Sequence, residues 1–332
     1  MTEPIWITEQ DVVDLLDLRE AIEALERGLR EEARGQANNM SKTQLALGHS
    51  NLHALGAIFA NEQLAATKTW MHTDGGATPL LVLIDTETGA IKAIIEAFAL
   101  GQMRTGGIAG LATDWLAHDA ADDMALIGTG KQALLQIAAV NAVRPLHRVR
   151  VFSPNPVSRA EFVARVQAEF GFEVIDAPSV VEAVEAAPIV TLVTRAPAAF
   201  LDSAMIAKGT HLNAVGAIGP DREEFAQNIF TRVTRMAVDT LPAVQNLSKE
   251  FRTQFGAPGA AWDAVLPLSK LIASGSRRKG ADDITLFKAM GMGISDLALA
   301  TEIFRRAQQH GRGRPFAHPQ RVKPRIHVER VS

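Results

Sequence analysis

The run LIGTGKQA, residues 126–133, places glycines at 128 and 130 and an alanine at 133, behind a short apolar stretch and ahead of a helix-like pattern. In this G-x-G-x-x-A arrangement, the first glycine permits a tight strand-to-helix turn and the second lets the backbone approach a pyrophosphate. A small third residue lets the helix pack against the strand. Free N–H groups at the helix start then face phosphate oxygens. Alone the pattern is weak, because glycine turns after strands are common. Here a strand precedes it, a helix follows, and a second strand ends about 25 residues later, as a dinucleotide site requires. Gly128, Thr129, Gly130, Lys131 and Gln132 form the expected cofactor cradle, and Thr194, closing the strand-like PIVTLVT, is a further expected contact.

The end of the second strand selects between the two nicotinamide dinucleotides. An Asp or Glu there would hydrogen-bond the ribose 2′-hydroxyl of NAD. The chain instead has VFSPNPVSR, with Ser153, Asn155 and Arg159 and no acid before Glu161. A hydroxyl and a guanidinium suit a 2′-phosphate. NADP(H) is therefore favoured, with NAD(H) as the alternative. A plainer role for Arg159, as a solvated helix residue, would leave that preference open.

The elements that must position this site follow from periodicity. Residues 8 to 34 read as helix, with Asp17 and Glu20 in a capping arrangement and Leu18, Ile22, Leu25 and Leu29 on one face. From about 42 to 98 the pattern is strand-like, and TETG with Gly89 forms a hairpin turn between PLLVLID and AIKAIIEAF. GQMRTGGIAGLATDWLAHDA, residues 101–120, reads as a glycine-loosened helix start. Strands and helices then alternate, which implies a parallel sheet covered on both faces. A last long helix is expected from about 282 to 309. The expected fold is α/β: a mixed domain over residues 1–118, joined by a carboxy-terminal return over 301–332, and a doubly wound Rossmann domain over 119–300.

With 332 residues, 47% hydrophobic and 21% charged, two domains are the natural expectation. The absence of cysteine excludes disulfides and thiolate metal sites, and no metal is expected. No apolar run is long enough to span a bilayer. MTEPIWITEQ has no basic region followed by an apolar one, so no secretory leader is expected and a cytoplasmic location is. From Arg305 onward there are eight Lys or Arg and one Glu, net +7, which against the overall −3 leaves −10 for the rest. With one aromatic and three prolines in that tail, a subunit-contact arm or a solvated tail is favoured over nucleic-acid binding.

Several blocks together resemble the ornithine cyclodeaminase/mu-crystallin family: TKTWMHTDGGATPLLVLIDTETGAIKA, GQMRTGGIAG, LIGTGKQA, NAVGAIGPDREEF and DDITLFKAMGMGISDLALA. The resemblance spans roughly 65 to 305 and implies a Rossmann domain beside a mixed α+β domain that binds substrate and dimerises through its strands. It implies that Lys68 and Arg104 hold a substrate α-carboxylate and act in catalysis. Lys42 falls near a further family arginine, and Thr105 matches a residue close to the cofactor. Those types suit the task, because a carboxylate in a partly desolvated cleft needs cationic hydrogen-bond donors. Arg104 also lies at an expected helix start, where the macrodipole favours an anion. Asp296 matches a family aspartate and is read as fixing the last helix beside the nicotinamide. His53 and His72 flank Lys68 as candidate proton donors, though a lone strand histidine is more often structural.

One departure narrows the chemistry. The cyclodeaminase aspartate that engages the substrate's side-chain amine aligns with Ile218, and Asp221 lies three residues further on. An apolar side chain cannot pair with an ammonium. The expected activity is NAD(P)H-dependent reduction of a ketimine or α-imino carboxylate to the amino acid, or the reverse dehydrogenation. The alternatives are ornithine- or lysine-type cyclodeamination with ammonia release, and a non-catalytic protein binding NADPH and a carboxylate ligand, as mu-crystallin does. The expected partners are a small amino or imino acid and a second copy of the chain, with no nucleic acid and no membrane.

Overall fold

The computed structural model describes residues 3–257, 259 and 261–326, so the final six residues of the expected carboxy-terminal return lie outside the described residues. Two eight-stranded sheets organise the fold. The first runs in the order Arg314–Pro315, Ile5–Ile7, Ile91–Glu96, Leu80–Asp85, Leu64–His72, Ser50–Phe59, Ala37–Asn39, with Thr43–Leu47 paired to the first half of Ser50–Phe59. Only Ile5–Ile7 against Ile91–Glu96 is parallel among its described pairings, so the sheet is mixed. The TETG hairpin forms as expected, with Gly89 at φ +70 and Asp85 Oδ1 accepting from the Glu87 and Thr88 N–H groups.

The second sheet is parallel throughout, in the order Glu173–Asp176, Arg148–Phe152, Asp123–Ile127, Ile189–Leu192, His211–Ala214, Ile284–Lys288, Val233–Val238, Leu266–Pro267. Numbered along the chain its first five strands run 3-2-1-4-5, the Rossmann order, and the expected α/β class holds. Four of its strands are buried at every residue, because helices cover both faces.

Three helices differ from the expected ones. Residues 8–34 form two helices, Glu9–Leu15 and Leu18–Ala33, because the chain turns extended at Leu16 and Asp17 caps the second with a full capping box. The expected helix beginning near Asp282 starts only at Gly293, running to His310, and Ile284–Lys288 before it is a strand. A strand buried on both faces shows no alternation, so its five residues carry no period to distinguish it from helix.

The third difference bears on the site. The glycine-rich segment is the interior of a helix, Phe98–Leu116, and Arg104 lies in its second turn. The macrodipole at the helix start therefore contributes little at Arg104, since that effect falls off within the first turn. The glycines serve close packing. A Cβ on Gly106 would lie 2.7 Å from the Leu135 carbonyl oxygen, and one on Gly110 2.8 Å from that of Ala139. Gly107 faces the other way, where a Cβ would meet Leu25 at 2.8 Å. The helix is thus pressed between Leu18–Ala33 and Ala133–Val143, the helix that opens from the cradle.

Candidate active site

Strand Asp123–Ile127 delivers the chain into Gly128, whose φ of +111 and lack of room both exclude a side chain: a Cβ would lie 2.8 Å from the Val193 carbonyl oxygen. A Cβ on Gly130 would meet nothing within 4 Å, so this turn has an open side. Helix Ala133–Val143 begins there with no side-chain cap; the Ala133 N–H is given to the Gly130 carbonyl at 2.9 Å, so no side chain blocks the approach to the helix start. Thr129 is half-buried, Lys131 is exposed, and the Gln132 side-chain oxygen is buried without a partner. A bare turn and a helix start without a side-chain cap fit a dinucleotide pyrophosphate.

At the end of the second strand, Ser153 is buried and its carbonyl accepts from Arg159 at 2.7 Å. The Arg159 guanidinium also bonds the Asp176 carboxylate and lies 5.5 Å from the Phe152 ring centroid. It is held at the strand end and is not a solvated helix residue. Asn155 spends its side-chain oxygen capping helix Pro156–Glu169, accepting from the N–H groups of Val157 and Ser158. Thr194 gives both its N–H and its hydroxyl to Glu224, at 2.7 and 2.8 Å.

The second half of the site gathers residues far apart in sequence. Lys68, opposite Leu55 and Leu81 in the first sheet, is 3% exposed, and its ammonium bonds Asp296 on the first turn of helix Gly293–His310. Arg104 Nε lies 3.6 Å from the same Asp296 oxygen. The other Asp296 oxygen is buried and has no partner. Asp296 therefore does more than fix a helix. Gly291, at φ +89, gives Arg104 its room: a Cβ there would sit 3.2 Å from the guanidinium.

Asp239, closing strand Val233–Val238, accepts from the N–H groups of Thr240, Met290 and Gly291 at 2.7, 2.8 and 2.6 Å. Burial pushes its carboxyl upward, while these donors and Arg104 hold it down. Burial pushes Lys68 down to about 8; Arg104 and Lys42 add to the fall and Asp296 opposes it. Lys42, half-buried, is also lowered by burial and by Arg104, against the pull of Asp239 and Asp296. His53 stacks on Trp70, whose ring centroid lies 5.1 Å from the Lys68 ammonium. Burial, Lys42 and His72 lower the His53 pKa, and its Nδ1 is buried without a partner.

Lys42, Lys68 and Arg104 thus share one electrostatic cluster with Asp239 and Asp296. Ile218 is 44% exposed, and Asp221 is a surface residue pairing with Arg222 at 3.8 Å. Thr105 links the two halves of the site: its carbonyl accepts from Gln136 of the cradle helix at 3.3 Å. Sequence reasoning passed over Asp239 and Glu224. Asp239 had a signal, an acid at the carboxyl end of a parallel strand, where ligands of such sheets bind. Glu224 had none locally. It is fully buried and also accepts from the N–H groups of Gly216 and Ala217, drawing together two strand ends.

Comparison with known proteins agrees with this architecture. The chain is 28% identical over 236 residues to a Delta(1)-pyrroline-2-carboxylate reductase of Bacillus cereus, covering 70% of this chain and 72% of that one. It is 26% identical over 316 residues to an alanine dehydrogenase of Archaeoglobus fulgidus, covering 92% and 95%. Among solved structures, the Thermococcus litoralis Delta(1)-pyrroline-2-carboxylate reductase in complex with NADH and L-proline superposes with a TM-score of 0.87 at 26% identity, over 94% of this chain and all of the other. The family model described as ornithine cyclodeaminase/mu-crystallin matches residues 2–311, and the chain belongs to that family.

Proposed function

We propose that the protein is a NAD(P)H-dependent oxidoreductase that reduces an α-imino carboxylate to the amino acid, or runs the reverse dehydrogenation. The observation that carries this reading is the joining of a buried cationic cluster to a dinucleotide cradle through one glycine-packed helix pair. Arg104 and Thr105 stand on one helix of that pair, and Gln136 on the other. The relatives named for pyrroline-2-carboxylate reduction and alanine dehydrogenation support the same chemistry.

In this reading Gly128, Thr129, Gly130, Lys131 and Gln132 hold the pyrophosphate, and Thr105 and Thr194 border the rest of the cofactor. When bound, a reduced nicotinamide supplies the hydride that adds to the imine carbon. The Arg104 fork and the ammonium of Lys68, with Lys42 behind them, take the substrate carboxylate and fix its orientation. Asp296 holds Lys68 and Arg104 in place. Lys68, lowered to about 8, keeps a proton on Nζ at neutral pH and gives it up readily, so it can hydrogen-bond the imine nitrogen and supply the amine proton.

NADP(H) is the favoured cofactor in this reading, with Ser153 and Arg159 at the 2′-phosphate position; the phosphate would have to take Arg159 from Asp176, its present counter-charge. A homodimer through the first sheet accords with Leu45 and Leu47, 70% and 74% exposed on Thr43–Leu47. The test is consumption of NADPH or NADH with pyrroline-2-carboxylate, piperideine-2-carboxylate, and pyruvate plus an amine. Oxidation of the cofactor with an imine supports the reading. Ammonia release from ornithine or lysine without net oxidation overturns it, as does binding without turnover across the set.

A further inference from the structure

Resting on that oxidoreductase reading, we propose that the substrate carries a single carboxylate and an uncharged alkyl or aryl side chain, lodged in the cavity between Lys42 and Met292. Two observations lead there, and the first is a charge balance. Lys42, Lys68 and Arg104 face Asp239 and Asp296, three cations against two anions. Glu32 stands near Asp239 and, like it, has its carboxyl pushed upward by burial, with one of its oxygens buried without a partner. One substrate carboxylate can be met by the Arg104 fork and Lys68, whereas a second would have to stand beside the Asp239 and Asp296 carboxylates.

The second observation is the cavity itself, about 210 Å³ in volume. Gly291, which makes room for the Arg104 guanidinium, is part of its wall. A carboxylate on Arg104 therefore stands next to this space. Met40, Leu55, Leu247 and Met292 supply apolar lining, Thr240 and Asn246 neutral polar groups, and among the described residues Lys42 is the only charged one in the wall. A side-chain ammonium would find no acid there and would meet Lys42. The volume exceeds the roughly 150 Å³ that suffices for a benzene ring in an apolar protein cavity. A methyl group would leave most of it unfilled, and each further buried methylene is worth about fourfold in binding.

The test compares kcat/KM for imines formed with methylamine from pyruvate, 4-methyl-2-oxopentanoate, phenylpyruvate and oxaloacetate, with pyrroline-2-carboxylate as the reference. The branched or aromatic imine is expected to exceed the pyruvate imine by about tenfold or more, and the oxaloacetate imine to fall about a hundredfold below the best. Leu247→Trp, which fills the cavity, is expected to invert the order between the large imines and the pyruvate imine. Ala243→Val, a milder change in the same wall, is expected to narrow the gap. Turnover of the reference with no size preference, or with the dicarboxylate preferred, overturns this inference alone. No turnover of any imine, reference included, overturns the oxidoreductase reading beneath it.

Discussion

The ammonium of Lys68 is bonded to the carboxylate of Asp296 where almost no water reaches: the two side chains are 4% and 2% exposed. They sit 228 positions apart, one on a strand of the first sheet and the other on the first turn of the helix that follows the parallel sheet. An ion pair so enclosed gains little net stability, because desolvation offsets most of the attraction. Its value is in orientation and in the proton it keeps on Lys68.

Replacing Asp296 by Asn removes the counter-charge while keeping the shape. The expected result is a fall in kcat/KM for the imine of about a hundredfold, roughly 2.7 kcal/mol of transition-state stabilisation. Cofactor affinity, measured by quenching or enhancement of reduced-cofactor fluorescence, should stay near that of the parent. Equal losses in cofactor binding and turnover would instead indicate general damage to the fold.

Lys68 also sets a pH dependence. Its folded value of about 8 lies below the ordinary 10.5, so the free enzyme loses the ammonium as pH rises through about 8. A reaction needing that proton shows kcat/KM steady below this point and declining above it. In Asp296→Asn the decline should begin at lower pH, because Asp296 is what holds the value up. A profile flat from pH 7 to 10 would remove Lys68 from the chemistry.

Arg104→Lys keeps the charge and loses the fork. A planar guanidinium holds a carboxylate through two parallel hydrogen bonds and an ammonium cannot. KM for the imine should rise about tenfold or more with little change in kcat, and Arg104→Ala should raise it further.

The packing of helix Phe98–Leu116 against Ala133–Val143 gives a prediction away from the ligands. In Gly106→Ala the new Cβ would press on the Leu135 carbonyl oxygen at 2.7 Å, backbone that cannot step aside alone. A destabilisation of about 1–3 kcal/mol is expected in urea unfolding, with a loss of turnover because the same helix carries Arg104.

Much of this architecture is legible along the chain, and the limits of that legibility are physical. The cradle around Gly128 and Gly130 reads well because its chemistry lies within eight consecutive residues. The capping pair Asp17 and Glu20 is local in the same way. ITLFK before the last helix reads as helix because a strand buried on both faces loses its alternation, and only its neighbours in the sheet declare it. Gly106, Gly107 and Gly110 look like a loosened helix start until the two flanking helices are in place. Glu224 acts largely through the backbone N–H groups of Thr194, Gly216 and Ala217, which leave no trace in residue type.

His211 links the fold to acid. Burial holds its imidazole at about 3, with ring nitrogens 3.0 Å from Thr285 Oγ1 and Asn213 Oδ1. The unfolded chain takes up a proton near 6.5 that the folded protein refuses, so this contribution is full above 6.5 and is lost as pH falls from 6.5 toward 3. The loss approaches about 1.4 kcal/mol per pH unit within that window. His211→Gln should be less stable at pH 7 and show a shallower decline of the urea midpoint between pH 6.5 and 5. An unchanged slope would assign the acid sensitivity elsewhere.

The role of the substrate carboxylate is measured by comparing cofactor oxidation with pyrroline-2-carboxylate and with pyrroline, the same cyclic imine lacking its carboxylate. Turnover of the acid is expected, with a loss of at least about a thousandfold in kcat/KM for the bare ring, roughly 4 kcal/mol. Lys68→Met and Arg104→Ala should erase most of that difference. Equal rates for the two rings would show that the buried cations around Asp296 do not hold a carboxylate for reduction.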